Sequence, residues 1–189
     1  MTVIVISKTD IVELTSKNIS FQICSSSDDV RVFYADSASF EQLKQLMQNT
    51  GPEELNADHP LRYHIDLVRL LALCTRGRNS TTELKCASQL SMDHIVRVLT
   101  SPYCLIQVKE VYLQFMLHCY IDADAEMKDI DNIEFIENIL KNILHDIQMY
   151  IGTLLQLKEK STLLPNSALE KYVCHTVTEV LIKLFERSS

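Results

Sequence analysis

The apolar residues of this chain recur three and four positions apart, and that spacing constrains the fold more than any other feature. Leu61, Ile65, Val68 and Leu71 form one series, and Val108, Val111, Phe115 and Cys119 a second. Ile133, Ile136, Leu140, Ile143 and Ile147 form a third, and Leu169, Val173, Val177, Val180 and Leu184 a fourth. An α-helix gathers such positions onto one face, whereas a strand scatters them to both sides of a sheet. Turn-forming residues are scarce, with 3 Gly and 4 Pro in 189 residues, and all-β folds need many turns. The expectation is an all-α fold of about six or seven helices.

The boundaries follow from start and stop signals. Residues 1–35 form a poorly defined N-terminal segment. Ile4, Val5 and Ile6 suit a strand, residues 25–29 a polar loop, and Val30, Val32 and Tyr34 a short extended piece. From residue 36 to 189 the pattern is helical. A first helix carries Phe40, Leu43, Leu46 and Met47 and stops at Gly51-Pro52. Asp58 is expected to cap the next helix, about 60–75, with Pro60 in its first turn. Leu67, Leu70 and Cys74 widen that helix's stripe, which predicts packing around most of its circumference, and Gly77 is a natural stop. Residues 79–90 read as a mixed connection. Ser91 caps a short helix that Pro102 ends, and a long helix follows over about 104–120. Another runs over about 125–150, with Gly152 breaking or bending it and Leu154, Leu155 and Leu157 suited to extend it by a further turn before a Lys158-Glu159-Lys160 loop. Ser167 and Glu170 match a capping box ahead of the last helix.

Charge and length exclude several function classes. The formal net charge of −7 opposes a nucleic-acid surface, which needs clustered Lys and Arg, and opposes docking on anionic membranes. No uninterrupted apolar run reaches the roughly 18 residues of a membrane span. The start, Met1 to Ile6, lacks the basic region of a signal peptide, and Lys8 and Asp10 cut its apolar run short. The chain therefore reads as cytosolic. Its six cysteines contain no C-x-x-C pair, and reduced thiols commonly serve as small buried hydrophobes.

Four constellations could carry chemistry. His118 and Cys119 with Cys86 and Cys104 could hold a metal, but zinc sites usually show close ligand pairs and none is present. No glycine-framed turn surrounds a Ser or Cys nucleophile. Asp122, Asp124, Glu126, Asp129 and Asp131 could attract calcium, yet a calcium loop counted from Asp122 needs Gly at its sixth place and Glu at its twelfth, where Met127 and Ile133 stand. The plainer expectation is an acidic first turn at the positive end of a helix dipole. Arg76-Gly77-Arg78 is too short for a phosphate cradle and suits a solvated helix end. No catalytic, ligand-binding or metal residue is assigned, no cofactor is expected, and the chain is not expected to be an enzyme.

Several segments nonetheless resemble a known family. Val32-Phe33-Tyr34 with Ser39-Phe40, and Leu61-Arg62-Tyr63-His64-Ile65 running into Leu67-Val68 and Leu70-Leu71-Ala72, are similar to stretches of inositol 1,4,5-trisphosphate receptors. Thr75, Gly77, Asn79, Glu83-Leu84-Lys85-Cys86, Ile95-Val96-Arg97-Val98, Cys104, Val108-Lys109 and Phe115 continue the likeness. His118-Cys119-Tyr120-Ile121-Asp122 with Glu126-Met127-Lys128 is its most specific part, and Leu169-Glu170-Lys171-Tyr172-Val173 closes it. Ryanodine receptors, which share related helical domains, resemble it less. Residues 129–166 and the first 28 depart from the family pattern.

The resemblance implies an armadillo-like α-solenoid over 36–189, akin to the homology region of ryanodine and inositol trisphosphate receptors. Two stretches, about 60–99 and 103–150, are each roughly the length of a helix-pair repeat, although the sequence shows no self-similarity. The implied role is a structural and modulatory segment of a tetrameric calcium-release channel on the cytosolic face of the endoplasmic reticulum. Its partners would be the other domains and subunits of that channel. A receptor would continue past Ser189, so the chain is read as a fragment of a longer product or a diverged short relative. The competing reading is a freestanding helical adaptor that binds other proteins.

Overall fold

The computed structural model describes residues 37–51, 55, 59–127, 132–160 and 167–187. The strand-like and extended pieces expected within residues 1–35 lie outside them. Among the described residues every regular element is helical. In chain order these are α1 (Ser37–Gln48), α2 (Pro60–Thr75), α3 (Ser80–Ala87), α4 (Met92–Leu99) and α5 (Ile106–Met116). Then come α6 (Ile133–Lys160), α7 (Ser167–Lys171) and α8 (Thr178–Arg187). A π-helical turn, Leu117–Ile121, prolongs α5, and a second, Tyr172–Val177, joins α7 to α8. The result is seven continuous helical rods among the described residues, within the six or seven expected from sequence.

The caps explain where the rods begin. The Oγ of Ser91 accepts the N–H of His94 at 3.5 Å, as expected from sequence. Asp58 lies outside the described residues, and α2 is capped instead by His59, whose Nδ1 accepts the Leu61 N–H at 3.1 Å. Asn79 Oδ1 accepts the Thr82 N–H at 3.0 Å. That cap starts α3, a helix where the sequence suggested only a connection. Its inward positions are Glu83 and Cys86, so a carboxylate interrupts the apolar period that would have revealed it.

The rods pack around α5. Val108, Val111, Tyr112, Leu113, Phe115 and Met116 are all buried, and α2, α4, α7 and the Tyr172–Val177 turn lie against them. The central rod is therefore α5, not α2. In α2 the stripe Leu61, Ile65, Val68 and Leu71 is buried as expected, but Leu70, Leu73 and Cys74 face outward, with Leu73 56% exposed. Only one side of α2 has neighbours, so a wide apolar circumference did not translate into deep packing.

Two stops also differ from expectation. The rod α6 passes straight through Gly152 to Lys160. A single glycine costs a helix only about 1 kcal/mol, too little to end one without a second breaker. At the end of α2 the left-handed residue is Arg78, with φ 50°, and not Gly77.

Candidate functional site

Two buried polar constellations tie the rods together, and the first centres on Lys109 of α5. Its Nζ donates to both carboxylate oxygens of Asp146, at 2.7 and 2.8 Å, and to Asn142 Oδ1 at 2.9 Å. The Tyr172 hydroxyl donates to Asp146 Oδ2 at 2.8 Å. The side chains of Lys109 and Asp146 are only 7% and 6% exposed. The constellation thus joins α5, α6 and the Tyr172–Val177 turn at one point. Lys109, Asn142 and Asp146 also line a cleft of about 520 Å³, together with Thr100, Cys104 and Leu169.

Chemically this point is closed. The three ammonium hydrogens of Lys109 match the three oxygens it meets, so it has no donor left for a ligand. Burial, and then the Asp146 charge, push the Tyr172 phenol up. The Cys104 thiol is pushed to about 12 by burial, a larger effect than the opposing pull of Lys109. A thiol held protonated at neutral pH is a poor nucleophile.

The second constellation centres on Glu83 of α3, which is fully buried. Its Oε2 accepts the N–H groups of Asp124 and Ala125 at 3.0 and 2.8 Å. Its Oε1 has no hydrogen-bond partner among the described residues. Its carbonyl accepts the Cys119 thiol at 3.4 Å. The guanidinium of Arg78 bonds Asp122, and Lys183 of α8 stands 4.0 Å from the same carboxylate. Residues 122–127 are thus a loop pinned from three elements. They are not the acidic first turn of a helix, because α6 starts only at Ile133. Carboxylates donate no hydrogen bonds and repel one another, so Asp122 is held by cations and the loop backbone by Glu83.

The residues singled out from sequence are only partly brought together. Cys119 is close enough to Cys86 to feel its charge, and Cys86 in turn feels Cys74. Burial is the larger cause in both, pushing Cys86 to about 11 and Cys119 higher still. Cys104 lies apart, by Lys109. His118 is half-buried, and burial lowers its pKa against the opposing pull of Glu179. Among the described residues no group of three His, Cys, Asp or Glu is placed to hold a metal; Asp129 and Asp131 lie outside them. Arg76 and Arg78 occupy the exposed α2–α3 turn, and Arg78 is spent on Asp122.

Lys109, Asn142, Asp146, Tyr172 and Glu83 were not singled out from sequence as members of a site. One signal did exist. Asp146 falls three places after Ile143 and seven after Ile139, on the side of α6 that is buried. A carboxylate on an apolar stripe demands a partner.

A fold whose buried polar groups bind its own helices, and whose thiols at Cys86, Cys104 and Cys119 are held protonated, defines a helical packing domain. No family model matches the chain. It is 52% identical over 178 residues to the inositol 1,4,5-trisphosphate receptor itr-1 of Caenorhabditis elegans, and the match covers 93% of this chain. By sequence the chain is related to the inositol 1,4,5-trisphosphate receptors. It spans about 6% of the length of that receptor.

Proposed function

We propose that this chain is a structural and modulatory segment of a ligand-gated calcium-release channel of the inositol 1,4,5-trisphosphate receptor kind, without catalysis of its own. The observation that carries the reading is the 52% identity over 93% of the chain. The segment would sit in an armadillo-like stack on the cytosolic face of the endoplasmic reticulum membrane, against other domains and subunits of a tetrameric channel. No described helix is long and apolar enough to cross a membrane, which fits a segment outside the pore.

The mechanism is mechanical. A close-packed body moves as a unit and passes a conformational bias from ligand sites to a gate. Two features favour stiffness: α5 buried among its neighbours, and the Lys109–Asp146–Tyr172 connection that fixes α6 in register. Directional buried polar contacts are suited to selecting one arrangement of rods.

The test is a transplant. The matching stretch of the itr-1 receptor is replaced by this chain, and messenger-evoked calcium release is measured in cells without receptors of their own. Release from the chimera is expected. Asp146→Leu in the chimera should then shift the messenger concentration for half-maximal release. A chimera that assembles as a tetramer but releases no calcium overturns the reading.

A further inference from the structure

The turn between α2 and α3 carries exposed groups beyond the Arg78–Asp122 ion pair that the packing uses. Arg97 stands three places before Thr100, but Thr81 is the one hydroxyl residue in the sequence with arginines both three and five places before it, Arg78 and Arg76. Arg76, Arg78, Ser80 and Thr81 are all exposed, Arg78 by 57% of its side chain. Two arginines at fixed offsets before a hydroxyl form a pattern that acidic substrate grooves of protein kinases can read. Guanidinium groups pair with carboxylates in directed, charge-assisted bonds, and kinases select substrates by such charge patterns.

Kinase grooves favour extended substrates, so the first turn of α3 must open. That turn rests on Asn79: its Oδ1 takes the Thr82 N–H at 3.0 Å and the Thr82 hydroxyl at 3.1 Å, and its carbonyl takes the Glu83 N–H at 2.9 Å. A helix of eight residues gains little stability from its own hydrogen bonds. Its exposed end therefore opens locally far more often than the protein unfolds.

We propose that Thr81 is a phosphorylation site for an arginine-directed protein kinase, and that its phosphate draws Arg78 away from Asp122. In the transfer, the Thr81 hydroxyl oxygen attacks the γ-phosphorus of magnesium-bound ATP. The bond to the β–γ bridging oxygen breaks, ADP leaves, and the hydroxyl proton passes to a carboxylate base of the kinase. The product carries a charge of about −1.5 to −2 in the first turn of α3, where the helix dipole favours it. Lys85, exposed and one turn further along, faces the same side. Arg78 then chooses between a dianionic phosphate and the single charge of Asp122. Loop 122–127 loses one of its pins and keeps those of Glu83 and Lys183. This inference does not rest on the channel reading, since it needs only the folded chain, a kinase and ATP.

The experiment incubates the purified chain with the catalytic domain of a kinase that requires arginine at these two offsets, and with ATP and magnesium. Modified sites are mapped by mass spectrometry. Phosphate on Thr81 is expected, absent from Thr81→Val, and formed about ten-fold or more slowly in Arg76→Gln, because one charge-assisted contact is lost. Hydrogen exchange at the amides of residues 122–127 is expected to speed up on phosphorylation. A folded chain that stays unmodified while the peptide 74–86 is modified overturns the site, as does an equal rate for Arg76→Gln. Unchanged exchange at 122–127 in the phosphorylated chain overturns the release of Arg78.

Discussion

At the scale of single residues, the Lys109–Asp146 pair decides most. Removing one partner strands a buried charge, at a cost of about 3–5 kcal/mol, whereas replacing both with apolar groups of similar size is close to neutral. Asp146→Leu alone should therefore lower stability by about 3–5 kcal/mol, and Lys109→Met with Asp146→Leu should cost less than Asp146→Leu alone. Urea unfolding of the three proteins checks this; a double variant as unstable as the sum of the single ones would refute a coupled pair. His118 works in the opposite sense, through pH. Burial lowers its pKa below its ordinary 6.5, Arg76 lowers it further, and Glu179 and Asp122 raise it less than burial lowers it. The unfolded chain then binds a proton that the folded chain resists, so stability should fall as pH drops through and below 6.5. His118→Gln should flatten that part of the pH profile of the urea midpoint, and an unchanged slope would show that His118 is not its source. Neither role was legible from sequence, because each depends on which rod lies opposite, and one chain's periodicity does not say.

At the scale of elements, the apolar spacing located the rods but not all of their ends. The stripes of α2 and α5 read correctly, because Leu61, Ile65, Val68 and Val111 sit at helical offsets and the core needs them. Leu71 is only 6% exposed, so Leu71→Ala should cost on the order of 2–4 kcal/mol through lost burial and a cavity. An unchanged melting temperature would contradict its place in the core. Misreadings arose where one local signal was weighed without its surroundings. α3 was hidden because its inward side is Glu83 and Cys86. The central place of α5 was missed because apolar circumference reports what a helix could bury and not how many neighbours it has. Gly152 suits a break or a bend, yet the helix continues through it as the leucines beyond allow, and a Cβ there would meet nothing within 4 Å. Gly152→Ala should consequently stabilise the protein by about 0.5–1 kcal/mol, through helix propensity and a less flexible unfolded chain. Loss of stability would show that the glycine serves some other need.

At the scale of the whole molecule, five described thiols report how the body opens. Cys74 and Cys174 are exposed, Cys104 is half-buried at the cleft, and Cys86 and Cys119 are buried. Cys119 lies in the π-helical turn that ends α5, with its thiol on the Glu83 carbonyl, and that turn also packs against α2 and α8, so departure of α3 alone leaves it covered on those sides. A domain stable by about 5 kcal/mol is open roughly once in several thousand molecules. Native labelling with a thiol reagent should therefore mark Cys74 and Cys174 within minutes and Cys119 about a thousand-fold more slowly. Burial acts a second time, because a thiol held protonated yields little of the reactive thiolate until it is exposed. Cys86 distinguishes two ways of opening. It sits on the eight-residue α3, at 8% exposure. If α3 detaches by itself, Cys86 labels faster than Cys119 and its rate depends less steeply on urea, because less surface is uncovered. If the body opens only as a whole, the two thiols share one rate and one slope. The packing favours separate opening, since α3 rests on α2, the Leu117–Ile121 turn and, through Glu83, the loop 122–127, while α5 is surrounded. Equal slopes would make the α3 edge as firm as the centre, and phosphorylation at Thr81 would then have to act on a rigid turn.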